Sequence, residues 1–542
     1  MDKAELVIKS DAVFTGTGSA PFKGGVAIAD GKIVACGNDL HLAPFIGPDT
    51  EVREYGDKLV MPGLIDSHTH FAQGSFMTDP DFCVNLIDCT SFEQTMKRVK
   101  EFADAHPDNE WILGVQIIQF QWEKPEMPTA AEIDAYISDR PVFLQQVDLH
   151  TYSANTAAIK KVGITRDTPD PVGGRFLKDE NGELTGVLSN NGAQPFLETI
   201  YNPPLESAES SISKTAKRAA SLGITSVGSV NPTFVSMDNP YAVFADLNRK
   251  GEFPLRVFMY TDLFDLETMT PDEIRERYDF PGTTIEWNGL KQFIDGVCSD
   301  HTAWMLEPYS NRPDYCGEPA LDPELLRKNI LKACELGIDT RIHAIGDRGI
   351  RFVLDCFEEG EKLYGKKGNR HSIEHNETVQ PEDMPRYAQL GISPAMQPWH
   401  MLLDMADLAK DDAVGPERAA LSWPIKSLME SGANIHLGSD FPVVDLDPTE
   451  EIYGAVFRML EDGSNPEGWF PEERISMADA LKAYTYGSAY AMGVEDRIGT
   501  LACGKEADIC VFDRNLFTAE PADVLGAKVE LTVLGGKVVY EA

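Results

Sequence analysis

Eight short apolar runs recur through the middle of this chain, with helical stretches among or after them. The runs end at "IDSHTH", "ITSVGSV", "LRVFMYTD", "LKQFIDG", "IDTRIHAIGD", "RHSIEHNE", "ISPAMQ" and "NIHLGSD". Segments such as "ISKTAKRAASLG", "PELLRKNILKACELG" and "SMADALKAYTYGSAYAMG" read as helices, and Gly223 and Gly337 supply C-terminal stops. Alternating strands and helices bury a parallel sheet beneath a helical layer. Eight such units fit a (β/α)8 TIM barrel, an α/β fold.

At 542 residues the chain exceeds one ordinary core, and a barrel takes about 250 of them. Both ends carry a different signal. "LVIKSDAVFTG" and "GGVAIADGKIVACG" are short β-branched runs between Gly and Asp-Gly turns, and "VELTVLGGKVVYEA" has a Gly-Gly hairpin turn. Neither end alone has strands enough to bury a face. Residues 1–60 together with 495–542 are therefore expected to form one composite β-sandwich, flanking a barrel over 61–494. Between Phe71 and Ser207 the barrel pattern is interrupted by a helix ("SFEQTMKRVKEFADAHP"), strands ("WILGVQI", "PVFLQQVDL") and a hairpin in "KDENGELTGVLS". A structureless loop of that length is improbable, so an inserted α+β subdomain at about 75–205, over the barrel mouth, is expected.

The net charge of −39 argues against nucleic acid and against an anionic membrane as partners. The N-terminus "MDKAELVIKSDAVF" lacks a secretory apolar core, and no run approaches the roughly 18 apolar residues of a membrane span. Nine scattered cysteines, without a CxxC pair, read as reduced thiols of a cytoplasmic protein.

Residues i and i+2 of a strand share a face, so His68 and His70 in "MPGLIDSHTH" project together. At the C-terminal end of a barrel strand they reach the face where active sites form, and two imidazoles can chelate one divalent ion. An isolated HxH is weak evidence. Repetition strengthens it: other predicted strands end at His343, His375 and Asp440. Taken singly, each is as readily a core residue. Their shared placement at strand ends points to a metal site.

At these residues the sequence resembles the amidohydrolase superfamily, in the YtcJ-like branch that includes N-substituted formamide deformylase. The matching pieces are "MPGLIDSHTH", "PVFLQQVDLHTYSAN", "GLKQFIDG", "IHAIGDRG", "RHSIEHNE", "SPAMQPWH", "GSDFPVVDLDP" and "IGTLACGKEADICVFD". The resemblance implies a barrel with a composite β-sandwich and two divalent metal ions, zinc foremost. It places His68, His70 and Asp440 on one ion, and His343 and His375 on the other. Lys291 falls where the family carries a carboxylated lysine that bridges them, a role the residues alone would not suggest. Asp440 is then general base and acid in hydrolysis of an amide-like carbon–nitrogen bond.

The resemblance also puts His150 and His301 in segments that line a substrate pocket. Trp122, Trp304, Trp399 and His400 are candidates for an aromatic wall against an apolar substituent. His371 and His436 read as inward residues one layer deeper, and His41 and His106 as surface residues. "GVQIIQFQW" and "QPWH" depart from relatives near the substrate end, which leaves the substrate open. The expected partner is a small amide-like molecule, and the expected assembly a homo-oligomer, taken as a dimer. A deaminase or cyclic-amide hydrolase of the same superfamily is the nearest alternative. Deaminases place a Glu soon after the strand-five histidine, where this chain has "HAIGD". A non-catalytic assembly or regulatory relative would have lost ligands, and none is missing here.

Overall fold

The structure, a computed structural model, describes residues 3–542 apart from 120–121, 148–150, 172–173, 201–203, 231–239 and 407–408. The chain divides into two units, Met1–His70 with Ala216–Pro232 and Ala245–Ala542, and Phe71–Thr215 with Thr233–Phe244.

In the first unit all eight expected runs form parallel strands: β1 (Leu64–Thr69), β2 (Ile224–Val230), β3 (Arg256–Asp262), β4 (Ile285–Phe293), β5 (Thr340–Ala344), β6 (Ser372–His375), β7 (Ser393–Met396) and β8 (His436–Leu437). They follow one another around the sheet in chain order. The seam between β8 and β1 is closed just beyond β8. The Asp440 amide donates to the His68 carbonyl at 2.8 Å, and the His70 amide to the Phe441 carbonyl at 2.7 Å. The structure is therefore a (β/α)8 barrel. The expected helix at "PELLRKNILKACELG" is Pro323–Leu336, with Asp322 accepting from the Glu324 amide and Gly337 at φ +68 as its stop. The helix expected over "SMADALKAYTYGSAYAMG" instead changes to π-helical turns at Ala483–Gly487.

Both termini join one eight-stranded sheet in the order Lys537–Glu541, Val529–Leu534, Ile509–Phe512, Leu59–Pro62, Leu6–Val13, Phe22–Ala29 and Lys32–Gly37, with Glu51–Glu54 on Leu6–Val13. The sheet rolls back on itself: the Ile33 amide donates to Lys505 O and the Ala507 amide to Gly31 O, each at 2.9 Å. Ile8, Val26, Val60, Ile509 and Leu531 fill the roll. Its final hairpin turns on Gly535 and Gly536, at φ +53 and +79, values that glycine adopts at little cost and that strain most residues with a Cβ. Arg256 of β3 donates from Nε and Nη2 to the two carboxylate oxygens of buried Asp508, at 2.9 and 3.2 Å, and so ties barrel to sheet.

The second unit holds a six-stranded sheet in the order Gly174–Lys178, Leu184–Asn190, Thr151–Ala154, Val142–Gln146, Ile112–Ile117, Cys83–Asn85. The helix Phe92–Ala105, capped by Ser91, packs Met96, Val99 and Phe102 onto it, an i, i+3, i+6 stripe. Among the described residues no helix is long and apolar enough to cross a membrane. All nine cysteines are free thiols; Cys503 is exposed and Cys36 and Cys316 are half-buried.

Candidate metal centre

The seam assembles the first cluster. His68 Nε2 lies 3.3 Å and His70 Nε2 3.2 Å from Asp440 Oδ1. These three buried residues form a trio whose ligand atoms lie within 4.8 Å of one another. Beyond strand spacing, a bulge contributes. The register of β1 on β2 shifts between Asp66 and Thr69, so adjacent Ser67 and His68 both face inward. Ser67 Oγ meets His436 Nδ1 at 2.8 Å, while His68 Nδ1 donates to Glu374. Asp66 pins the other side of the seam, accepting the Ser439 amide at 3.0 Å and the Ser439 hydroxyl at 2.6 Å.

Register places the interior side chains in layers. Lys291, Arg341, Ser372 and Ser393 are successive partners, and above them Phe293, His343, Glu374, Ala395 and His436. Fully buried Arg341 donates to the Ser67 carbonyl at 2.8 Å, lies 4.2 Å over the Tyr260 ring, and is 3.6 Å from Glu374. Lys291 is wholly buried, with Nζ 4.7 Å from the centre of the Phe293 ring.

His375 follows inward-facing Glu374, so strand alternation alone would turn it outward. Its φ of +76 bends the chain and brings it in, and Asp440 is also left-handed at +59. The His375 ring lies 4.4 Å from that of His343 and 5.0 Å from that of His68. A second trio joins His375 and Asp440 to His400, a residue of the helix Pro398–Ala406. His343 belongs to neither trio. Its Nε2 faces the Gly296 carbonyl at 3.4 Å and Asp295 Oδ1 at 3.7 Å. Asp295 in turn accepts from the Ile345, Gly346 and Trp304 amides at 2.8–3.0 Å.

Burial holds His70, His343 and His375 below the ordinary imidazole pKa, so they present neutral rings. Burial opposes the Asp440 charge as well, but His68 and His70 hold that carboxyl well below its usual range. Lys291 is drawn down to about 8 by burial. Buried atoms without a hydrogen-bond partner among the described residues gather here: His68 Nε2, His70 Nδ1, Lys291 Nζ, His343 Nδ1, His375 Nδ1 and Asp440 Oδ1. An unmet buried polar group costs about 1–3 kcal/mol. Neutral imidazoles around a carboxylate fit a divalent ion such as zinc, whose charge would satisfy several of these atoms at once.

The other candidates divide. His150 lies outside the described residues. His301 is placed on Asn311 Oδ1 at 2.7 Å and against the Tyr309 ring, outside both trios. Half-buried Trp399 meets Tyr453 edge-on, and Trp304 packs on Phe352 with Arg348 over its face. Trp122 was expected in the same wall. It is 6% exposed in the core of the second unit, and its indole N–H donates to the Cys89 carbonyl at 3.1 Å, so its ring and its donor are both engaged. His436 is inward, between Ser67 and Ser372. His371 is not: with Ser372 and Glu374 inward it faces the helices, stacked on Phe357 at 4.5 Å. The bend at His375 is what misled the parity argument. His41 is exposed and His106 half-buried.

Glu374, Arg341 and Asp295 were missed by sequence reasoning. Each sits inside a quoted segment, and inward alternation from Ser372 would have found Glu374.

Residues 54–540 match the amidohydrolase family, and the chain belongs to it. It is 31% identical to LONG AFTER FAR-RED 3 of Arabidopsis thaliana over 99% of this chain and 92% of that one. It is 29% identical to YtcJ of Bacillus subtilis, a proposed amidohydrolase, over 95% and 96% of the two chains. With N-substituted formamide deformylase of Arthrobacter pascens the identity is 25%, over 95% and 94%. Among solved structures, an uncharacterized metal-dependent hydrolase from Pyrococcus furiosus superposes with a TM-score of 0.74 at 26% identity, covering 95% of this chain and all of that one.

Proposed function

We propose that this chain is a metal-dependent hydrolase that cleaves a carbon–nitrogen bond in an amide, an N-acyl amine or an N-formyl amine. The observation that carries this reading is the convergence of buried, unpartnered ligand atoms from four barrel strands and the seam. His68, His70 and Asp440 would hold one ion, and His343 and His375 the second, with Lys291 between them as a carbamate. The lowered pKa of Lys291 favours that change, because only the neutral amine attacks CO2, and the product loses a proton as the N–C bond forms. Bound divalent ions lower the pKa of water toward neutrality and polarise a substrate carbonyl.

The chain's own part is proton transfer and orientation. The Asp440 carboxylate takes the proton of the attacking water and returns it to the departing nitrogen, which leaves as a neutral amine. Glu374 holds His68 by its Nδ1, and Asp295 stands behind His343, so each ring keeps one orientation. Likeness to N-substituted formamide deformylase supports the bond class.

Metal analysis of protein purified with bicarbonate tests this reading, paired with assays on N-formyl, N-acyl and cyclic amides. About two ions per chain are expected, falling in Lys291→Ala. A single ion in the unmutated protein removes the bridged pair. Metal-replete protein inert toward every amide removes the bond class.

A further inference from the structure

We propose that the turn between β7 and the helix Pro398–Ala406 recognises the substrate's amide: Gln397 Oε1 accepts the amide N–H, and His400 Nε2 donates to the carbonyl oxygen. The inference rests on the amide-hydrolase reading and narrows it to N-monosubstituted amides, which retain an N–H. Tertiary amides and esters have none to offer.

Gln397 is 1% exposed, and neither Oε1 nor Nε2 of its carboxamide has a partner among the described residues. The pairing of Ser372 with Ser393 and of Glu374 with Ala395 puts Ser393 and Ala395 on the inward side of β7. Two residues further, Gln397 continues that side at the barrel's C-terminal end, where His68, His70 and Asp440 converge. His400 follows in the first turn of the helix. Its Nε2 is buried without a partner, its ring lies 6.3 Å from that of His375, nearly parallel at 14°, and it shares a trio with His375 and Asp440.

The two residues are held as one element. The His400 amide donates to the Gln397 carbonyl at 3.1 Å, and the Trp399 amide between them donates to buried Glu451 at 3.0 Å. A carboxamide offers an acceptor and donors in one plane, the complement of a secondary amide. With His343, His375 and Lys291 assigned to the second ion, His400 is left to meet the oxygen on which charge develops.

Calorimetric titration of metal-loaded protein with acetohydroxamate and N-methylacetohydroxamate, which differ in the N–H, tests both contacts. Unmutated protein is expected to prefer the N–H probe by roughly tenfold or more. Gln397→Leu is expected to lose that preference with metal content unchanged; Gln397→Met is read the same way if the Leu variant does not fold. His400→Ala is expected to bind both probes roughly tenfold more weakly, again with full metal. A preference retained without Gln397, or metal lost with His400, overturns the inference alone, the second outcome making His400 a ligand. Unmutated protein that binds neither probe overturns the metal-centre reading and this inference together.

Discussion

His68 and Glu374 face each other across the barrel interior, with His68 Nδ1 donating to Glu374 Oε2. Burial works against a charge on Glu374, but Arg341 and His68 hold its carboxyl well below the usual range. It is therefore a carboxylate and can only accept. Nδ1 must carry the proton, which turns the Nε2 side of the ring toward Asp440.

Glu374→Gln removes that constraint. An amide can present its N–H to the ring and favour the wrong tautomer. Metal affinity, measured by competition with a chelator, is expected to fall roughly 10- to 100-fold. Arg341 also loses its carboxylate in a fully buried place, so denaturant unfolding should show a loss of about 3 kcal/mol. An unchanged affinity would sink the orienting role.

Gly438 lets the seam close. A Cβ there would lie 2.5 Å from the His68 amide nitrogen and 2.9 Å from His68 Cβ, neither of which is the end of a flexible side chain. Gly438→Ala is expected to cost about 1–3 kcal/mol of stability and to weaken metal uptake in step. Thermal unfolding with and without added metal measures both. A variant that keeps full metal and full stability would show that the strands can part without consequence.

His436 gives the fold an acid-sensitive point. Burial takes it down to about 3, against about 6.5 in the unfolded chain. Protons then bind the unfolded chain first. The stabilisation is fully present above pH 6.5 and is lost as pH falls from there toward 3. At pH 5 about 2 kcal/mol should be gone relative to pH 7. Urea titrations at the two pH values are expected to differ less for His436→Gln than for the unmutated protein; equal differences would exclude this source.

Trp122 separates a core role from a substrate role. As a core residue, its replacement by Ala should cost about 3–5 kcal/mol. Hydrogen exchange should rise among the amides of Ile112–Ile117 and Val142–Gln146. A stable Trp122→Ala protein with an altered KM would instead put the ring in the substrate wall.

Strand ends were legible in the sequence because a barrel site needs polar residues where apolar runs stop, and His68, His70, His343 and His375 mark such stops. Lys291 was legible only by resemblance, since a free amine is no ligand and its burial leaves no trace in residue order. Side-chain direction was less legible. Alternation holds until a bulge or a left-handed residue breaks it, as at Ser67–His68 and at His375, and neither break has a glycine to announce it. His371 keeps the alternation and faces the helices, so counting parity back from the bent His375 turned it the wrong way. For Trp122 residue order is silent for another reason: an apolar ring in an insertion looks the same whether it faces a ligand or its own core.

The seam puts ligands from the first and last barrel strands on one cluster, with Ser67 and Leu437 in contact 370 positions apart. A nascent chain therefore cannot present His68, His70 and Asp440 together until nearly the whole barrel has been synthesised. Ring closure of such long range is slow in folding. An ion held by the trio would act as a clasp on the closed ring, favouring it by mass action over any opened form. Chelation would then do more than silence chemistry: it would release the clasp and let the barrel part between β8 and β1.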